Sequence, residues 1–73
     1  MRTLQHEESF GSEYGEGLLR IETGGDSVTI QFETTSGWVD LESHTSSTLV
    51  LIPFKGSQQF RVQLSGSAQA HLL

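Results

Sequence analysis

Trp38, Asp40 and Glu42 are the residues of this chain whose types and spacing come nearest to a chemical site. They fall at i, i+2 and i+4 of the segment Trp38 to Ser43 (WVDLES), and in a strand such positions share one face. An exposed indole stacks on sugar rings, and neighbouring carboxylates accept hydrogen bonds from sugar hydroxyls, so the trio could hold a glycan. The same two acids could serve as hard oxygen ligands for calcium. Glycoside hydrolysis also uses paired carboxyls, but across a cleft deeper than a chain of 73 residues can enclose. Against these stands the plainer reading, in which Trp38 closes the end of the core and the acids face water. Tryptophan is also enriched at the centre of subunit contacts, so Trp38 and Phe54 could instead flank a boundary between copies.

Little else in the chain has the makings of a reaction centre. Cysteine is absent, and His6, His44 and His71 lie in separate segments without the close spacing of a zinc site. Ser65-Gly66-Ser67 has the look of a nucleophile elbow, yet that motif requires a strand-to-helix turn in a larger α/β fold. Gly24-Gly25 precedes no helix that would cradle phosphate. We therefore expect no catalytic residue, metal or cofactor, and a protein that is not an enzyme.

A chain of 73 residues forms one domain and buries only about 60% of its unfolded surface. Small folds usually gain stability from disulfides, a metal or a partner subunit. With the first two excluded, self-association is the economical way to complete the core. The net charge is −5, and Lys and Arg number only four, without a cluster that would grip a phosphate backbone. Nucleic acid is therefore not an expected partner. No apolar run is long enough to cross a bilayer as a helix. The N-terminus lacks a basic-then-apolar leader pattern, so export by that route is not expected either.

The segments that carry these residues read as strands. Residues 1–16 form an acidic stretch containing Gly11 and Gly15, with Phe10 and Tyr14 as its large aromatics. They are expected to be a flexible arm, frayed or docked through those two rings onto a neighbour, with Leu4 to His6 as a possible edge strand. Residues 17–73 make the β domain. Leu19 and Ile21 alternate with polar neighbours, and Val28, Ile30 and Phe32 alternate with Thr29, Gln31 and Glu33. Joined by Gly24-Gly25-Asp26, the two runs predict a hairpin.

In the third run, Val39 and Leu41 are expected inward, and Trp38, Asp40 and Glu42 outward. Thr48 to Phe54 (TLVLIPF) has successive apolar residues, which predicts a strand covered on both faces, centrally or at a subunit contact. Pro53 marks an edge or a strand end. Phe60, Val62 and Leu64, then Ser65-Gly66, then Ala68, Ala70 and Leu72 predict a second hairpin, with His71 on its outward face. The sum is an all-β fold: a small antiparallel sandwich or partly closed barrel of about six strands.

Ser36-Gly37-Trp38, the Ser/Thr-rich strand, Phe60-Arg61-Val62 and Ser65-Gly66-Ser67-Ala68 resemble small bacteriophage virion proteins over residues 17–73. That resemblance implies a homo-oligomer, with a trimer favoured, that decorates or cements a capsid through contacts with other virion proteins. Such a protein would assemble in the host cytoplasm and reside in the virion. Its expected contact residues are Phe10, Tyr14, Trp38 and Phe54. The alternative is a carbohydrate- or receptor-binding module using Trp38, Asp40 and Glu42.

Overall fold

The computed structural model describes residues 1–11, 15–54 and 56–73 of the chain. They form eight strands, without a helix among the described residues: β1 (Arg2–Leu4), β2 (Ser9–Phe10), β3 (Gly15–Glu22), β4 (Val28–Thr34), β5 (Gly37–His44), β6 (Thr48–Phe54), β7 (Phe60–Leu64) and β8 (Gln69–Leu72). Two four-stranded antiparallel sheets result. Sheet A has the order β1-β8-β3-β6 and sheet B the order β2-β7-β4-β5. This pair of orders is the jelly roll, an eight-stranded double sheet with Greek-key connections. The smallest extent of the molecule, 17 Å, fits two sheets stacked about 10 Å apart.

Eight strands replace the six expected, and the two additional ones come from the supposed arm. β1 pairs with β8 through Leu4 opposite Ala70, and β2 pairs with β7 through Phe10 opposite Phe60. Leu4 and Phe10 are each 2% exposed. Two apolar side chains in eleven residues suffice because the neighbouring sheets supply the rest of their surroundings.

Both expected hairpins are corrected. β3 and β4 belong to different sheets, as do β7 and β8. Gly24-Gly25-Asp26 and Ser65-Gly66-Ser67 are corners that carry the chain from one sheet to the other. Glycine suits both uses, because a tight corner and a hairpin turn alike demand positive φ. The only consecutive strands paired with each other among those described are β4 and β5.

Four such corners stand in a row at one end of the molecule, covering residues 5–8, 65–68, 23–27 and 45–47. Side chains stitch each to the next. His6 Nδ1 accepts from the Leu64 N–H at 3.0 Å, and the Ser27 N–H donates to Ser65 Oγ at 2.9 Å. The Thr23 N–H donates to Ser47 Oγ at 3.2 Å. Backbone groups left unpaired where strands end are thereby satisfied, as buried or crowded polar groups require.

The core lies between the sheets. Leu4, Leu19, Ile21, Val28, Ile30 and Val62 are fully buried, each contributing about 1.5–3 kcal/mol relative to exposure. At the opposite end from the corners, Phe10, Phe54 and Phe60 form an aromatic cluster with centroids 5.9 to 6.3 Å apart. Gly17 leaves the space that the Phe54 ring occupies.

Candidate functional site

Two surfaces carry the side chains that could act outside the core. The first is the outer face of sheet B. Here Trp38 lies opposite Glu33, and Asp40 opposite Gln31. Arg61 on β7 sets its guanidinium 4.6 Å from the Trp38 ring centroid, a cation–π contact. Arg61 Nε also donates to Gln31 Oε1 at 2.7 Å, and Gln31 Nε2 donates to Asp40 Oδ1 at 2.8 Å. Gln63 Nε2 bridges Gln31 Oε1 and Glu7 Oε2 at 3.1 and 2.7 Å. The bond from Gln63 is the main cause that holds the Glu7 carboxyl below its usual range, with Arg61 and His6 adding to it.

The expected line of Trp38, Asp40 and Glu42 does not survive in this geometry. The register shifts between Ile30 and Gln31, so β5 carries a bulge at Leu41. A bulge adds one residue and reverses the alternation beyond it. Asp40 therefore stands with outward-facing Gln31, whereas Glu42 stands opposite inward-facing Ile30. Glu42 Oε1 meets His44 Nε2 at 3.0 Å instead. Trp38 is half-buried rather than open, with one ring face taken by Arg61. No three His, Asp or Glu side chains converge as a cation site among the described residues.

Phe10 and Phe54, expected at a subunit contact, are core residues at 2% and 4% exposure. Tyr14 lies outside the described residues. Val39 faces inward opposite Phe32, yet the edge position of β5 leaves it 44% exposed, and the bulged Leu41 is 52% exposed.

The second surface is the outer face of sheet A with its free edge, β6. Thr48–Phe54 is an edge strand rather than a central one, and within one chain its outer face is open: Val50, Ile52 and Phe54 turn inward, while Leu49 and Leu51 are 57% and 59% exposed. Leu18 on β3, opposite Leu51, extends the apolar patch at 38% exposure. Beside it a polar group is locked. His71 on β8 is buried; its Nδ1 lies 3.0 Å from Thr3 Oγ1, and its Nε2 lies 2.9 Å from Glu22 Oε2 and 3.3 Å from Gln69 Oε1. Two acceptors face Nε2, so that nitrogen carries the proton and Nδ1 accepts from the threonine hydroxyl.

Hydroxyl, imidazole and carboxylate thus stand in the order of a nucleophilic triad. Positions 3, 22 and 71 are too far apart for the sequence to have suggested it. The Nε2–H is aligned on Gln69 Oε1 rather than on Glu22, however, and the arrangement ties β1, β8 and β3 together across the sheet.

No family model matches the chain, and neither a curated protein nor a solved structure matches it.

Proposed function

We propose that this protein works by association rather than by catalysis, as a small self-associating structural module. The observation that carries this reading is the patch formed by Leu18, Leu49 and Leu51 along the edge of sheet A. A soluble monomer gains nothing from a leucine-lined edge, whereas a subunit gains a contact surface. The size argument points the same way: 73 residues, no cysteine and a single thin core.

The role we assign is that of a decoration or cement subunit of a virus particle, binding its own copies and other virion proteins. The chain's resemblance to small phage virion proteins supports it, as does the recurrence of jelly rolls among viral capsid domains, an analogy of fold alone. Lectin domains share the same architecture, which keeps the glycan-binding alternative in view. That alternative has less support, because Arg61 occupies one face of Trp38 and the bulge separates Asp40 from Glu42.

Native mass spectrometry and sedimentation equilibrium at micromolar concentration test the reading. A discrete homo-oligomer whose dissociation is coupled to unfolding is expected. A folded monomer across that range overturns it.

A further inference from the structure

The four sheet edges are not equivalent. β1 and β2 have three and two residues, too short to template another chain. β5 is broken by its bulge and carries Asp40 and Glu42. β6 has seven residues, no charged side chain and no bulge in its pairing with β3. Of the four, β6 is the least blunted, with Pro53 near its end as its one edge-blunting residue.

The hydrogen-bonding groups that β6 leaves free can be identified. The Leu73 N–H donates to the Leu18 carbonyl at 2.9 Å, so the main-chain groups of Leu18 point towards β8. Those of Gly17, Leu19 and Ile21 then point to β6, where their partners are Ile52, Val50 and Thr48. Alternation leaves Leu49, Leu51 and Pro53 facing the open edge. Pro53 has no N–H to offer there, which is where a strand tolerates proline.

We propose that β6 pairs antiparallel with β6 of a second copy about a two-fold axis at Val50, joining the two A sheets into one of eight strands. This rests on the self-association proposed above and names its partner and geometry. The register follows from the free groups. With Leu49 opposite the second copy's Leu51, each pair exchanges both main-chain bonds, and none is lost. Centring the axis on Leu51 would put Pro53 opposite Leu49 and forfeit one bond in each of the two pairs.

Charge favours the same edge. The chain carries −5, and β6 is the strand along which two copies meet without opposing carboxylates. Area requires the second layer. A specific dimer needs roughly 1,000 Å² of buried surface, more than a single strand edge supplies. β5 runs along the same side of the molecule, since a three-residue corner joins it to β6, and its exposed Val39 and Leu41 enter the contact below Leu49 and Leu51. The acids of β5 are turned to partners within the chain, Asp40 to Gln31 and Glu42 to His44.

Amide hydrogen exchange on the unmodified chain, combined with native mass spectrometry, tests the pairing. A dimer is expected in which the Leu49 and Leu51 amides are protected at high concentration and exchange freely on dilution. The Val50 and Ile52 amides stay protected throughout. Leu51→Lys, at a position that already faces solvent, is expected to weaken the dimer at least 100-fold while leaving the circular dichroism of the fold unchanged. Ser9→Lys, exposed on the far edge strand β2, is expected to leave the dimer intact. A trimer, or a dimer in which the Leu49 and Leu51 amides exchange freely, overturns β6 pairing but not self-association. A monomer at every concentration overturns both.

Discussion

Oδ2 of Asp26 accepts hydrogen bonds from both the N–H and the Oγ–H of Ser67, at 2.9 and 3.1 Å, across 41 residues of sequence. The pair locks the corner between β3 and β4 against the corner between β7 and β8. Gly66 makes the approach possible: its φ is +55°, and a side chain there would run into the Asp26 carboxylate. Removing the acceptor by Asp26→Ala is expected to cost about 1–2 kcal/mol, measured by urea denaturation. Gly66→Ala should destabilise through the same contact, and an unchanged midpoint for both variants would deny the lock its role.

Phe10 tests whether the first ten residues belong to the folded body. Its ring packs edge-on against Phe54 and lies 5.9 Å from that of Phe60. Phe10→Ala is expected to cost about 3–5 kcal/mol, enough to unfold much of so small a protein at 37 °C. A near-wild-type melting temperature would mean that β2 is detachable.

Arg61 and Trp38 offer an optical test, since Trp38 is the sole tryptophan. Arg61→Gln removes the cation over the indole and the bond to Gln31 Oε1. About 1–2 kcal/mol of stability should go with them, because an exposed cation–π contact contributes about 0.5–1 kcal/mol and a hydrogen bond about 1 kcal/mol. The emission of Trp38 should move to longer wavelength as water reaches the ring. Unaltered emission would show that the guanidinium does not cover it.

Acid should loosen the first corner before the rest. The Glu7 and Glu8 carboxyls are both held below the ordinary glutamate value of 4.5, Glu7 chiefly by the bond from Gln63 and Glu8 chiefly by the bond from Arg2. A carboxyl depressed in the folded state contributes stability that is fully present above pH 4.5. That stability is lost as pH falls through the lower, folded-state values. Protection against hydrogen exchange, taken relative to the intrinsic amide rate at each pH, should therefore fall at residues 5–10 first on acidification. Glu7→Gln with Glu8→Gln should flatten the acid limb of the stability profile, and a limb of unchanged slope would assign it to other carboxylates.

Much of the strand content was legible in the chain. Leu19 with Ile21, Val28 with Ile30, and Phe60 with Val62 alternate with polar residues, and all six are buried as that alternation requires. Pro53 correctly marked an edge. The connections were not legible, because Gly24-Gly25-Asp26 and Ser65-Gly66-Ser67 carry the same local chemistry for a hairpin as for a corner. What separates the two is whether the next strand pairs with the previous one or lies beneath it. The bulge at Leu41 was equally hidden, and with it the parting of Asp40 from Glu42. Thr3, His71 and Glu22 could be joined only by the pairing of β1 and β3 on either side of β8.

An all-β fold, the core-facing residues of its most regular strands and the absence of a disulfide could all be read from the chain alone. Those follow from period-two alternation and composition, which act through neighbouring residues. Which strands are neighbours, which corners stack, and that β6 ends sheet A as an open edge emerge only in the folded molecule. Pairing of strands far apart in the chain is settled by the sum of burial and hydrogen bonding over the whole fold, and no local segment records that sum.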